Sequence, residues 1–143
     1  MMLVPTYVAP SDVEGVGVFA SEPVKKGTLI WRYEPDFDRL VPARWLSEQS
    51  ATMQDFLMKY AYPAHDRPDM LVIEIDNGRF MNHTLSPNTD FTKVVEGYAI
   101  RDIAAGEEFL CNYSEFDPEF ALLPSMVAAF AKTKALANGF ADQ

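Results

Sequence analysis

Cysteine, histidine and positive charge are all scarce in this chain of 143 residues, which has 1 cysteine, 2 histidines and 12 lysines and arginines against 21 aspartates and glutamates. A lone Cys111 cannot close an internal disulfide. With only His65 and His83 beside it, no spacing resembles a zinc site, so no metal is expected. A formal net charge of −9 argues against direct nucleic-acid binding, which rests on lysines and arginines neutralising phosphates. No apolar run approaches the roughly 20 residues that span a bilayer, and the opening Met1-Met2-Leu3-Val4-Pro5 has no basic start. These absences predict a soluble, cytoplasmic protein. It needs neither disulfide nor structural metal, because a chain of this length buries roughly two-thirds of its unfolded surface. An acidic body suits a basic substrate, although acidity is equally an ordinary solubility device.

What the chain does have is short apolar segments separated by turn formers. Leu3 to Ala9 reads as a strand ending at Pro10-Ser11-Asp12, and Leu29 to Tyr33 reads as another. Leu40 to Tyr60 changes period: Trp45, Met53, Phe56, Leu57 and Tyr60 fall mostly three or four apart behind Pro42, which predicts a long internal helix. Strands are expected again at Leu71 to Ile75, with Glu74 on the opposite face from Ile73 and Ile75. Phe91 to Val95, Tyr98 to Ile100 and Glu108 to Cys111 follow. Glu22 to Ile30 and Asp102 to Leu110 echo one another as an acid, four residues, a glycine and a strand, so Gly27 and Gly106 are expected at positive φ. Ser125 is expected to cap a C-terminal helix that stops at Asn138-Gly139. The sum is one mainly β (α+β) domain with helical insertions.

Three places attract a functional reading. Gly15-Val16-Gly17-Val18-Phe19-Ala20 matches a dinucleotide fingerprint by letters, but a polar turn precedes it and a Pro/Gly turn follows. That fingerprint needs a strand before it and a helix after, so the oxidoreductase reading fails. Cys111 with His83 as base is conceivable, yet nothing local marks either as activated, and a small buried apolar residue is the simpler account of Cys111. Arg79 to Asn88 crowds Asn82, His83, Thr84, Ser86 and Asn88 into one segment that also carries Phe80, Met81 and Leu85. Polar groups drawn inward need partners. A ligand loop and a self-satisfied turn fit equally well.

Arg79-Phe80-Met81-Asn82-His83-Thr84 with Pro87-Asn88 resembles the R-F-x-N-H-S-x-x-P-N signature of SET-domain protein-lysine methyltransferases. Gly106-Glu107-Glu108-Phe109-Leu110-Cys111-Asn112-Tyr113 is similar to their G-E-E-L-x-F-D-Y signature, and Gly15 to Ala20 to their opening G-x-G-[VL]-[FY]-A. The resemblance implies a SET-type β-clip of small curved sheets with a knot-like C-terminal crossing. It implies a SET domain over residues 1–116 with an insertion at about 40–76, and a helical segment over 117–143 packed on it. It further implies transfer of a methyl group from S-adenosylmethionine to a lysine amine of a protein, in an enzyme that lacks the cysteine-rich segment often found after the last motif. Gly15, Gly17, Asn82 and His83 would hold the cofactor, with Tyr33 beside it and Phe116 or Phe120 over the adenine. Tyr113 matches the catalytic tyrosine. Phe91 and Cys111 would wall the lysine channel, the small thiol leaving room for more than one methyl.

The sequence departs from the family in Thr84 for serine, Leu85 for cysteine, and Glu34-Pro35-Asp36 where Y-x-G-E is usual. The last departure keeps open a non-catalytic SET-like binding module. The residue types suit the chemistry implied: an in-line displacement needs alignment and a dry channel. The amine must also lose a proton whose reference pKa is about 10.4, and an apolar aromatic channel lowers that value.

Overall fold

The structure, a computed structural model, describes residues 1–117. The expected C-terminal helix and Phe120 lie outside them. Among the described residues, short strands dominate: β1 (Thr6–Pro10), β2 (Val16–Ala20), β3 (Leu29–Arg32), β4 (Arg39–Pro42), β5 (Ala61–Ala64), β6 (Arg67–Ile73), β7 (Asn82–His83), β8 (Thr89–Asp90), β9 (Glu96–Ala99) and β10 (Leu110–Cys111). One α-helix, α1 (Ala51–Tyr60), and three short 3-10 helices interrupt them. The strands form four small sheets, in the orders β1-β2, β3-β9-β8, β4-β6-β5 and β10-β7. Only the last pair is parallel. The core lies where these sheets meet, with Val18, Ile30, Trp31, Met81, Phe91, Ile103, Phe109 and Cys111 packed together.

The two echoing segments turn out to be paired. Val24 and Ile103 exchange both backbone hydrogen bonds at 2.8 Å, and Lys26 N–H donates to the Asp102 carboxylate. Gly27 and Gly106 both adopt positive φ, 83° and 81°. Each directs its N–H to a strand end, Gly27 to Ala99 O and Gly106 to Ala20 O, so one local turn is used twice to return the chain into the core.

Two expectations are corrected. The helix expected over Leu40 to Tyr60 begins only at Ala51, where the Ser50 hydroxyl accepts from Met53 N–H. Residues 39–42 instead pair with β6, because Val41 is buried there and edge pairing satisfies their backbone. The strand expected over Phe91 to Val95 is a turn: Asp90 accepts from both the N–H and the hydroxyl of Thr92, and Val94 takes φ 65°. An Asx turn here outcompetes the β propensity of the segment.

Candidate active site

The site is built on the parallel pair β7 and β10, which brings the Asn82-His83 and Leu110-Cys111 segments side by side. Asn88, almost fully buried, clamps the seam: its amide donates to Glu108 O at 2.7 Å and its carbonyl accepts from Leu110 N–H at 2.8 Å. Thr89 donates its hydroxyl to Leu110 O. His83 is buried, and its Nδ1 accepts from Tyr113 N–H at 3.0 Å. Burial lowers the His83 pKa, so the imidazole stays neutral and able to accept that bond. Tyr113 in turn donates its hydroxyl to Met81 O at 2.5 Å. Two segments thirty residues apart thus fix each other's catalytic-looking side chains.

Asn82 reaches the other way. Its amide donates to Glu14 O, Val16 O and the Glu108 carboxylate, tying the turn around Gly15 to the end of the chain's last motif. The Ser11 hydroxyl donates to the same carboxylate at 2.9 Å. Gly17 is where this network leaves no room, since a Cβ there would stand 2.0 Å from Glu108 Oε1. Gly17→Ala is therefore expected to displace Glu108 and loosen the turn, costing about 1–3 kcal/mol by the usual range for overpacking. Thermal unfolding of the variant measures this; an unchanged midpoint would contradict the packing described.

Between these two networks opens a cavity of about 290 Å³. Asn82, Tyr113, Cys111, Phe91 and Phe116 all line it. Gly15, Gly17 and His83 do not; Gly15 has φ 52°, and these three shape or support the walls from behind. Tyr33 is diverted to a small adjoining hollow, edge-on to His65 at 6.4 Å, so it does not join the main cavity. The aromatic wall is continuous: Trp31 to Phe91 at 5.3 Å, Phe91 to Phe116 at 5.8 Å, Phe116 to Tyr62 at 5.5 Å and to Tyr113 at 5.6 Å.

Burial governs the electrostatics. It pushes the Tyr113 phenol well above its ordinary value, helped by the nearby acids Glu14 and Glu74, so Tyr113 keeps its proton and donates it. The Cys111 thiol is raised for the same first reason and stays neutral, which favours a packing role over the nucleophile reading. Sequence reasoning missed Trp31, Tyr62 and Glu74 as cavity residues. The available signal was one acid inside the apolar run Leu71-Val72-Ile73-Glu74-Ile75.

Burial raises the Glu74 carboxyl from 4.5 to about 7, against the opposing pull of the N-terminal amine and Trp31. The unfolded carboxyl ionises from about 4.5 upward while the folded one stays protonated, so this group removes stability as pH rises through that window and the loss persists above 7. Glu74→Gln cannot ionise. Denaturant unfolding of both proteins should show the variant gaining on the wild type between pH 4.5 and 7, and a constant difference would refute a raised carboxyl.

A model of the SET domain matches residues 15–114, and the chain belongs to the SET-domain family. A variant-silencing SET domain-containing protein of Plasmodium falciparum is 28% identical over 123 residues, covering 75% of this chain and 5% of that protein. The structure of the Chaetomium thermophilum polycomb repressive complex 2 aligns with a TM-score of 0.63 at 22% identity, over 85% of this chain and 17% of that one. The same complex with H3K27me3 and H3K27M aligns equally well, with a TM-score of 0.63 over 85% of this chain and 16% of that one, at 22% identity. The chain therefore spans only a small part of these relatives, and the structural likeness establishes the fold.

Proposed function

We propose that this protein transfers a methyl group from S-adenosylmethionine to a lysine side-chain amine of a protein substrate. The observation that carries the reading is Tyr113, a buried phenol locked through its backbone to His83 and through its hydroxyl to Met81 O, on the wall of an aromatic cavity beside Asn82. The lining suits the cofactor chemically. Its zwitterionic amino-acid end calls for opposite charges, and Glu14, Lys59 and Arg79 line the cavity; its adenine calls for flat apolar surfaces, and Tyr60 and Phe80 line it too. When bound, S-adenosylmethionine supplies a methyl group on a positively charged sulfur.

The chain's own residues then have separate tasks. The Asn82 amide fixes the Gly15 turn, and so the Glu14 and Val16 wall. The phenol of Tyr113, always protonated, orients the incoming amine, and the rings of Phe91, Phe116 and Trp31 exclude water. Cys111 leaves space near Tyr113, which supports more than one methyl per lysine. The acidic body, at −9, favours a basic protein partner. The reading is tested by calorimetry with S-adenosylmethionine followed by incubation with the labelled cofactor and basic proteins. Cofactor binding with a labelled lysine supports it. Failure to bind the cofactor would return the protein to the non-catalytic binding module that the absent Y-x-G-E pattern keeps open.

A further inference from the structure

Glu74 sits directly after β6, 7% exposed, with its Oε2 buried and without a hydrogen-bond partner. Two other side-chain atoms share that condition in the same cavity wall: the indole nitrogen of Trp31 and the hydroxyl of Tyr62. Both are donors that face the carboxylate, and each acts on it as a weak hydrogen-bond donor without reaching full hydrogen-bonding geometry. The space for the carboxylate is specifically kept. A Cβ on Gly78 would stand 1.9 Å from Glu74 Oε2, so a residue with a side chain there would evict it. Buried polar atoms are nearly always satisfied, and a carboxylate oxygen with only two weakly placed donors on a cavity wall has capacity left for a stronger partner.

The chemistry of the set selects that ligand. A carboxylate repels anions, and an apolar group would leave it unpaired in a medium where an unpaired charge is costly. Aromatic faces beside it attract cations. An ammonium on a slender alkyl stem meets all of these conditions. The other groups facing Glu74 do not supply that cation fully: the N-terminal amine of Met1 offsets it, but Asp38 and Asp76 add negative charge. Tyr113 and Cys111, within electrostatic reach of Glu74, are both held neutral by burial.

Building on the methyl-transfer reading above, we propose that Glu74 receives the ammonium end of the substrate side chain and takes up its proton. An N–H bond of the ammonium breaks, its electron pair stays on nitrogen, and the proton forms an O–H bond on Glu74, leaving a neutral amine beside a neutral acid. The transfer neutralises both partners inside the cavity. The proton passes to water when the cavity next opens. A carboxyl raised by burial to about 7 is basic enough to hold that proton near neutrality, and the same burial lowers the basicity of the amine. Tyr113, whose hydroxyl proton is given to Met81 O, is left to accept from an N–H of the amine and so orient it.

The test uses n-butylamine as the probe, with S-adenosylhomocysteine bound to the full chain. Isotope-edited infrared spectra at about pH 8, one unit above the raised carboxyl, should show a protonated-acid band growing as n-butylamine binds, and that band should be missing in Glu74→Gln. Calorimetry should find n-butylamine at least about tenfold weaker in Glu74→Gln, the scale of one lost charged contact, with S-adenosylhomocysteine affinity kept. An ionised carboxylate that persists with probe bound overturns the proton uptake. Equal n-butylamine affinity in both proteins overturns the ammonium site. A tenfold loss of S-adenosylhomocysteine affinity in Glu74→Gln also overturns it, by showing that the carboxylate serves the cofactor's own ammonium. Failure of the underlying reading looks different: the wild type would transfer no label to any protein while the n-butylamine band still appeared.

Discussion

Replacing Tyr113 with phenylalanine is expected to lower methyl transfer by about 10²-fold or more, the usual cost of losing the group that aligns a reacting atom. S-adenosylmethionine affinity should stay close to that of the wild type. The expectation follows from how the side chain is held. Its backbone N–H bonds to His83, its ring packs on Phe116 and His83, and only the oxygen meets Met81 O. Phenylalanine keeps every ring contact and removes that oxygen alone. The fold should survive with about 1 kcal/mol lost for the unpaired Met81 carbonyl. A radiometric assay on the purified variant, beside calorimetry with the cofactor, separates the two effects, and undiminished turnover would remove Tyr113 from the chemistry. The pH of the assay matters, because acid that protonates His83 also breaks the bond holding Tyr113 in place. Activity is thus expected to fall in acid below the ordinary histidine value, since burial has lowered this one.

The largest stability effect is expected at Asn88. Asn88→Ala leaves Glu108 C=O and Leu110 N–H without the side-chain partners that now satisfy them, in a part of the molecule closed to water. Each stranded group costs about 1–3 kcal/mol, so the variant should lose roughly 2–6 kcal/mol. For a domain of this size that lowers the unfolding midpoint by on the order of 10 °C. Asn88→Asp is the informative control, since it keeps the acceptor for Leu110 N–H but points an oxygen at Glu108 O. It should be at least as damaging as alanine if the donor is the important half. Differential scanning calorimetry of the three proteins decides this, and a midpoint within a degree or two of wild type for Asn88→Ala would mean the seam is held elsewhere.

Much of this was legible in the chain, and the division follows the range of the interactions. The turn glycines Gly27 and Gly106, the Ser50 cap and the short strands are set by local backbone preferences, and a linear pattern displays them. The motifs around Asn82, His83 and Tyr113 are also linear, so the family could be read from residue order alone. The side-chain tasks inside those motifs could not. Whether Asn82 meets a ligand or the carbonyls of Glu14 and Val16 depends on partners 66 and 68 residues away, and Ser11 meets Glu108 across 97. Tyr33 carries the same letter as the family's channel tyrosine, yet packing against His65 turns it into another hollow. Glu74 alternates outward by strand period from Ile73 and Ile75, which on a solvent-facing sheet would make it an ordinary surface acid. Only the closure of Trp31, Tyr62 and Gly78 around it makes that face an interior. The sequence by itself determined the family, the backbone turns and the chemical types at the site. Tertiary structure decided which of those groups are buried together, because burial and partnership arise from contacts between distant segments that no local pattern encodes.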